Sequence, residues 1–123
     1  MPIEHLRLAV VDDDPDVRVA LIRLLYSAGF AAEPFGSGAE FLQSIGCQLI
    51  DCVVLDLQMP EVNGFEVQRQ LAERNPGTAV VVITGQDSAE ARQRALSLGA
   101  AAYLPKPLDS DALLLAIREA LHR

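Results

Sequence analysis

The chain has 123 residues, half of them hydrophobic in type, and a net charge of −7 from ten basic and seventeen acidic side chains. Its size and composition predict a single globular domain, residues 1–123, with a hydrophobic core of its own. The acidic balance argues against direct contact with nucleic acid, which binds largely through Lys and Arg, and no apolar run approaches the roughly 18 residues needed to cross a membrane.

Short apolar runs alternate along the chain with longer amphipathic stretches. Asp14 is a predicted N-cap, and Pro15 suits the first helical turn because its missing N–H would be unpaired there. The predicted elements, in chain order, are a strand at 6–11, a helix from the cap Asp14 to Gly29, a strand at 30–34, a helix at 39–44, a strand at 52–56, a helix at 65–74, a strand at 79–84, a helix at 88–98, a strand at 101–104 and a last helix capped by Asp109.

The apolar runs lack polar alternation, which is typical of strands covered on both faces. Parallel strands joined by helices satisfy this requirement, and right-handed crossovers leave few topologies. We therefore predict an α/β fold of type (βα)5 built on one doubly wound parallel sheet.

Polar side chains gather where the predicted strands end. Ligands of such sheets bind in the crevice outside the carboxyl ends of the strands. The residues delivered there are Asp12, Asp13 and Asp14 after the first strand, Asp56 at the third, Thr84 at the fourth and Lys106 after the fifth.

Carboxylates brought together at one edge repel each other by several kcal/mol at separations of about 4 Å. A bound cation relieves that repulsion, and oxygen ligands without His or Cys suit a hard ion such as Mg²⁺. A carboxylate beside a metal, an ammonium group and a hydroxyl has the parts needed for phosphoryl transfer, with the carboxylate itself as nucleophile.

Four motifs give the chain a strong resemblance to the receiver domain of two-component response regulators, over residues 6–121. These motifs are VVDDDPDVR at 10–18, DLQMPEVNG at 56–64, VVVITG at 80–85 and YLPKPL at 103–108. The resemblance implies the flavodoxin-like strand order 2-1-3-4-5 and a cis peptide bond before Pro107.

The resemblance also implies a role for each matching residue. Asp56 matches the phosphoacceptor, Lys106 the phosphate-binding lysine, Thr84 the conformational hydroxyl and Tyr103 the rotating aromatic of the switch. The metal ligands implied for Mg²⁺ are Asp12, Asp13, Asp56 and the backbone carbonyl of Gln58, with Asp12 acting more through water.

The partners implied are a sensor histidine kinase, a downstream effector domain or protein, and a second copy of the chain in a phosphorylation-dependent homodimer. Phosphorylation is expected to remodel the face made by helix four, strand five and helix five. Leu113, Leu114 and Leu115 in the last helix exceed one buried stripe, so part of this cluster is expected to be exposed. Such a domain catalyses only its own phosphorylation and dephosphorylation and is otherwise no enzyme.

The N-terminal residues and the cysteines bear on the compartment. Residues 1–7 contain no apolar segment of a signal peptide. Cys47 and Cys52 are too few for a disulfide framework and lack zinc-site spacing. We expect a cytoplasmic protein with two partly buried free thiols.

Three other functions remain open at this point. An aspartate-nucleophile phosphohydrolase would use Asp12 and Asp14, which have its Asp-x-Asp spacing. A flavodoxin-type cofactor module is disfavoured, because the acids after the first strand would repel a cofactor phosphate. A pseudo-receiver that uses the fold for protein contacts alone is disfavoured by the complete set of acids and lysine.

Overall fold

The computed structural model describes residues 6–46 and 49–122, which leaves Cys47 outside the described residues. Strands and helices alternate through these ranges as predicted. Their bounds are β1 Leu8–Val11, α1 Pro15–Ser27, β2 Ala32–Phe35, α2 Gly38–Ser44, β3 Cys52–Asp56, α3 Gly64–Arg74, β4 Ala79–Thr84, α4 Ala89–Ser97, β5 Ala102–Pro105 and α5 Ser110–Leu121.

The strands form one parallel sheet in the order β2-β1-β3-β4-β5. The predicted fold class and strand order are therefore confirmed. The chain reverses its direction of winding between β2 and β3, so β1 and β3 lie side by side at the centre of the sheet. In a doubly wound sheet this is the point where a crevice opens at the carboxyl ends of the strands.

The core has two layers, because successive strand residues point to opposite faces of the sheet. On one face, α1 and α5 cover side chains such as Val10 and Ile83 with Leu21 and Ile117. On the other face, α2, α3 and α4 cover the alternate strand positions. Burial on both faces explains the uninterrupted apolar runs of the sequence.

Two strand boundaries differ from prediction at the open edge of the sheet. Strand β2 begins at Ala32 instead of residue 30, and it includes Phe35 beyond Pro34. Phe30 is buried in the core, but its N–H donates to the carbonyl of Leu25 and so continues the end of α1 instead of the ladder. Pro34 is tolerated because β2 is an edge strand, where a missing N–H costs no ladder bond.

The strands at the start and end of the chain are also displaced by one or two residues. Strand β1 begins at Leu8 instead of residue 6, and β5 runs from Ala102 to Pro105 instead of 101–104. Pairing decides both cases: Leu8 is opposite Ala32 on β2, and Pro105 is opposite Thr84 on β4. Neither pairing can be read from the local apolar pattern.

Side chains cap the helices where the sequence predicts it. Asp14 accepts hydrogen bonds from the N–H groups of Asp16 and Val17, and Asp109 accepts one from Ala112. Such bonds satisfy donors that have no partner inside the helix. The predicted end of α1 is confirmed by Gly29, whose φ of 94° lies in the left-handed region.

Within the described ranges, no helix is both long and apolar enough to cross a membrane. The thiol of Cys52 is fully buried instead of partly buried. Burial, together with the nearby charge of Asp51, raises the pKa of this thiol to about 12. The thiol is therefore a neutral packing group of β3.

Candidate functional site

The carboxyl ends of the central strands bring the predicted site residues together. Asp12 directly follows β1, Asp56 is the last residue of β3, and Thr84 is the last residue of β4. Lys106 follows β5, and its N–H donates to the carbonyl of Thr84 over 2.7 Å. Register between parallel strands therefore sets the positions of these four side chains.

Three carboxylates form a compact acidic cluster, defined here as Asp12, Asp13 and Asp56. Each offers an oxygen, and these oxygens all lie within 4.8 Å of one another. Asp12 and Asp56 are buried, whereas Asp13 is exposed at the mouth of the crevice. Carboxylate oxygens on one open side of a crevice fit a hard divalent cation that keeps some of its waters, as Mg²⁺ does.

Asp12 is held from several directions. Its Oδ1 accepts the N–H of Asp14 over 2.9 Å, and its Oδ2 accepts a hydrogen bond from Lys106 Nζ over 3.0 Å. Its main-chain carbonyl accepts a bond of 2.8 Å from the Arg18 guanidinium, which reaches back from α1. The carboxylate orientation is therefore set before any ligand arrives.

Asp56 is buried and lies beside charges of both signs. Burial raises the pKa of its carboxyl to about 6, and the charge of Asp12 adds to the rise, while Lys106 opposes it. Lys106 Nζ lies 3.7 Å from Asp56 Oδ1, and the N–H of Gln58 donates to the same oxygen over 3.3 Å. The Oδ1 side of Asp56 thus faces a cation and a backbone donor.

Lys106 contacts Asp12 more closely than Asp56, at 3.0 Å against 3.7 Å. Burial of the ammonium group opposes its charge, but the hydrogen bond to Asp12 and the charges of Asp56 and Asp13 outweigh burial and raise its pKa. The lysine is therefore fully charged at neutral pH. The predicted cis peptide bond between Lys106 and Pro107 is confirmed.

The side chain of Gln58 has contacts that the sequence did not predict. Its Oε1 accepts a bond of 2.7 Å from the Thr84 hydroxyl and one of 3.1 Å from the N–H of Gly85. Only the backbone carbonyl of Gln58 was expected to take part in the site. The signal available in the sequence was a polar residue two positions after Asp56, in the loop that follows the predicted strand at 52–56.

Tyr103 lies inside the protein, between β5 and the start of α4. Its ring is buried, and its hydroxyl accepts a bond of 3.4 Å from the N–H of Ser88, the N-cap of α4. The Arg92 guanidinium lies 5.8 Å from the ring centroid. The aromatic side chain therefore ties β5 to the first turn of α4, on the far side of Thr84 from the acidic cluster.

Two other acids near the strands serve structural roles. Asp14 is exposed, accepts the capping bonds of α1 and is not part of the acidic cluster. Because its side chain is engaged in capping α1, Asp14 disfavours the phosphohydrolase alternative, which would need it as a second catalytic acid. Asp51 precedes β3 at the opposite end of the sheet, and its carboxylate accepts a hydrogen bond of 2.7 Å from the backbone N–H of Arg7, which precedes β1.

Comparison with known proteins gives one consistent family. The family model described as "Response regulator receiver domain" matches residues 8–118. The response regulator MprA of Mycolicibacterium vanbaalenii is 41% identical over 123 residues, covering 100% of this chain and 52% of the relative. MprA of Mycobacterium avium is 40% identical over 118 residues, covering 96% of this chain and 52% of the relative. The chain thus spans about half the length of these curated relatives.

Solved structures agree with this result. A receiver domain protein (CheY-like) from Methanospirillum hungatei superimposes with a TM-score of 0.90 at 28% identity, covering 95% of this chain and 94% of that chain. A response regulator receiver protein from Burkholderia phymatum gives a TM-score of 0.84 at 42% identity, with 95% of both chains covered. The BeF3-activated receiver domain of DrrB gives 0.88 at 29% identity, covering 96% and 98%.

The family match runs from the first residue of β1 into α5, and the solved structures named above superimpose on the chain with TM-scores of 0.84 to 0.90. The chain belongs to the response regulator receiver domains, the signalling switches of two-component systems.

Proposed function

We propose that this receiver accepts a phosphoryl group from a sensor histidine kinase on Asp56, in a Mg²⁺-dependent reaction. The observation that carries the proposal is the acidic cluster, with its three carboxylates within 4.8 Å of one another and Lys106 beside two of them. Asp12, Asp13, Asp56 and the backbone carbonyl of Gln58 would hold the metal. This constellation combines a nucleophile with positive charge at the point where phosphoryl oxygens would lie.

In the proposed reaction, a carboxylate oxygen of Asp56 attacks the phosphorus of a phosphohistidine. The new bond joins this oxygen to phosphorus, the bond from phosphorus to the imidazole nitrogen breaks, and the imidazole leaves as a neutral ring with its proton on the other nitrogen. The pKa of about 6 leaves Asp56 mostly ionised at neutral pH, as a nucleophile requires.

Bound Mg²⁺ would supply positive charge that neutralises phosphoryl oxygens as the transfer proceeds. The chain's own contribution is orientation and charge. The Lys106 ammonium, 3.7 Å from Asp56, is close enough to pair with one phosphoryl oxygen after a small movement away from Asp12. The Thr84 hydroxyl can donate to another oxygen.

The output signal follows from the hydrogen bond between Thr84 and the phosphoryl group. When Thr84 moves toward the phosphoryl group, the space that it leaves lets the already buried Tyr103 ring shift toward β4, and this shift releases the contact between Tyr103 and Ser88. The face formed by α4, β5 and α5 then changes shape and passes the signal to an effector domain, an effector protein or a second copy of the chain. We place this signalling in the cytoplasm, and we assign the domain no catalysis beyond its own phosphorylation and dephosphorylation.

The test is labelling with acetyl phosphate and Mg²⁺, followed by intact-mass measurement. Wild type should gain one phosphoryl group that is stable in acid and labile in base. Asp56→Asn should fold and gain none, because an amide is not a competent nucleophile. Asp51→Asn is the matched control, since that acid lies at the opposite end of the sheet, and it should label as wild type does. Equal labelling of Asp56→Asn and wild type would refute the assignment of Asp56.

A further inference from the structure

The carboxamide of Gln58 accepts hydrogen bonds from two donors at the end of β4. One is the Thr84 hydroxyl at 2.7 Å, and the other is the Gly85 N–H at 3.1 Å. A backbone N–H can only donate, so the Gln58 atom that both donors share must be the carboxamide oxygen. The Thr84 hydroxyl is therefore the donor in its hydrogen bond to Gln58.

The Thr84 hydroxyl has no second proton to offer. Its oxygen already accepts the N–H of Gln86 over 3.0 Å, and the residue is fully buried, so bulk water does not compete for it. To donate to a phosphoryl group on Asp56, the hydroxyl must first leave Gln58. The Gln58 carboxamide oxygen and the phosphoryl group thus compete as acceptors for the same hydroxyl donor.

We propose that the Gln58 side chain is an internal latch that holds Thr84 in the unphosphorylated position and opposes activation. We call the carboxamide of Gln58 with its two donors, the Thr84 hydroxyl and the Gly85 N–H, the Gln58 latch. The proposal rests on the proposed function and deepens it: Gln58 is a positioning residue that acts through Thr84 and sets how readily the receiver passes to its active state.

The size of the effect follows from the bonds that must break. Activation exchanges the Gln58–Thr84 bond for a Thr84–phosphoryl bond, whereas without the Gln58 acceptor the new bond forms without that loss. A net hydrogen bond in a protein corresponds to about a tenfold change in an equilibrium constant. Removal of the acceptor should therefore tighten binding of a phosphoryl mimic by about tenfold.

The experiment compares beryllofluoride binding to wild type, Gln58→Met and the control Gln43→Met at saturating Mg²⁺, so that differences in metal affinity do not contribute. Methionine has a similar length but no carbonyl acceptor. Gln43 is exposed on α2, away from the crevice. Binding is followed by NMR through backbone amide signals, and the Gly85 amide signal also reports the latch before any ligand is added.

We expect Gln58→Met to shift the free-state Gly85 amide signal, since its acceptor is lost, and to bind beryllofluoride about tenfold tighter than wild type. Gln43→Met should match wild type in both measurements. In a Thr84→Val background, which lacks the hydroxyl, Gln58→Met should lose most of its effect on affinity, because coupled residues are not additive.

Equal affinities of wild type and Gln58→Met would overturn the latch, and so would a tenfold gain that persists undiminished with Thr84→Val. Failure of the proposed function gives a different result, because then wild type itself would not bind beryllofluoride at Asp56. An unshifted Gly85 signal in free Gln58→Met would also overturn the latch, since it would place the carboxamide elsewhere in solution.

Discussion

At the residue scale, the crevice holds more negative than positive charge. Oxygens of three carboxylates lie within 4.8 Å of one another, and the cation that forms an ion pair with them is Lys106, which lies closer to Asp12 than to Asp56. The charges of Asp12 and Asp13 both contribute to the raised pKa of Asp56, after burial. The site is therefore electrostatically unfavourable without a metal, and its stability should depend on what fills it.

A single charge removal tests this repulsion. Asp13 is exposed and contributes a carboxylate to the acidic cluster, so Asp13→Asn removes a like charge without emptying the core. In a metal chelator, we expect Asp13→Asn to melt about 2–5 °C above wild type, the shift that about 1 kcal/mol produces in a domain of this size. Millimolar Mg²⁺ should raise the melting temperature of wild type by mass action and that of the variant by less.

The matched control is Asp16→Asn, which removes the same charge from the first turn of α1, outside the acidic cluster. It should not raise the melting temperature, because a negative charge there favours the helix dipole. The repulsion is refuted if metal-free Asp13→Asn melts at or below the temperature of wild type.

At the element scale, the link between β3 and α3 is folded so tightly that one position must be glycine. The N–H of Gly64 donates to the carbonyl of Leu57, and Asn63 caps α3 by accepting the N–H of Glu66. A Cβ on Gly64 would lie 2.6 Å from the carbonyl oxygen of Asp56 and 2.8 Å from Cα of Leu57. These neighbours are backbone atoms, which cannot rotate away.

Gly64→Ala should therefore destabilise the domain by roughly 2 kcal/mol or more, as overpacking against a fixed neighbour does. Urea unfolding followed by circular dichroism measures the change. Gly77→Ala is the control, because a Cβ at Gly77 would meet nothing within 4 Å and the φ of this residue is not positive. Its stability should stay within about 0.5 kcal/mol of wild type. Equal stabilities of the two variants would contradict the close approach at Gly64.

At the scale of the whole molecule, α4, β5 and α5 combine the buried ring of Tyr103 with exposed apolar side chains. Leu115 on α5 is 57% exposed and Leu96 on α4 is 43% exposed, which confirms that part of the leucine cluster is on the surface. Leu113 is fully buried and Leu114 half-buried, so the apolar surface of α5 extends beyond its core stripe. Such a surface suits contact with a second copy or an effector.

Phosphorylation should shift a monomer–dimer equilibrium through this face. Sedimentation in the analytical ultracentrifuge, with and without beryllofluoride, should show a larger mass for activated wild type. Leu115→Glu should remain monomeric, because a charge in an apolar contact is costly to desolvate. Tyr26→Glu on α1, where the tyrosine is 78% exposed, should dimerise as wild type does. An unchanged mass of wild type on activation would refute the dimer and leave the assignment of Asp56 intact.

Much of this protein could be predicted because the relevant signals are local. Unbroken apolar runs identified the buried strands, and Asp14 and Asp109 identified helix starts, since capping depends on bonds between near neighbours. The residues at the crevice could be named because parallel strands deliver their last side chains to one edge. Asp12, Asp13, Asp56 and Lys106 do lie together there.

By itself, then, the sequence determined the family, the order of the elements and the residues that meet at the crevice, since these depend on residue type and spacing. Only the tertiary structure decided which partner each group takes. It pairs Lys106 with Asp12 ahead of Asp56, turns the Gln58 carboxamide onto Thr84, and begins β2 at Ala32. Strand register and side-chain rotamers select these partners, which are far apart in the chain. The alternative pairings have similar energies, so local sequence spacing cannot predict which one forms.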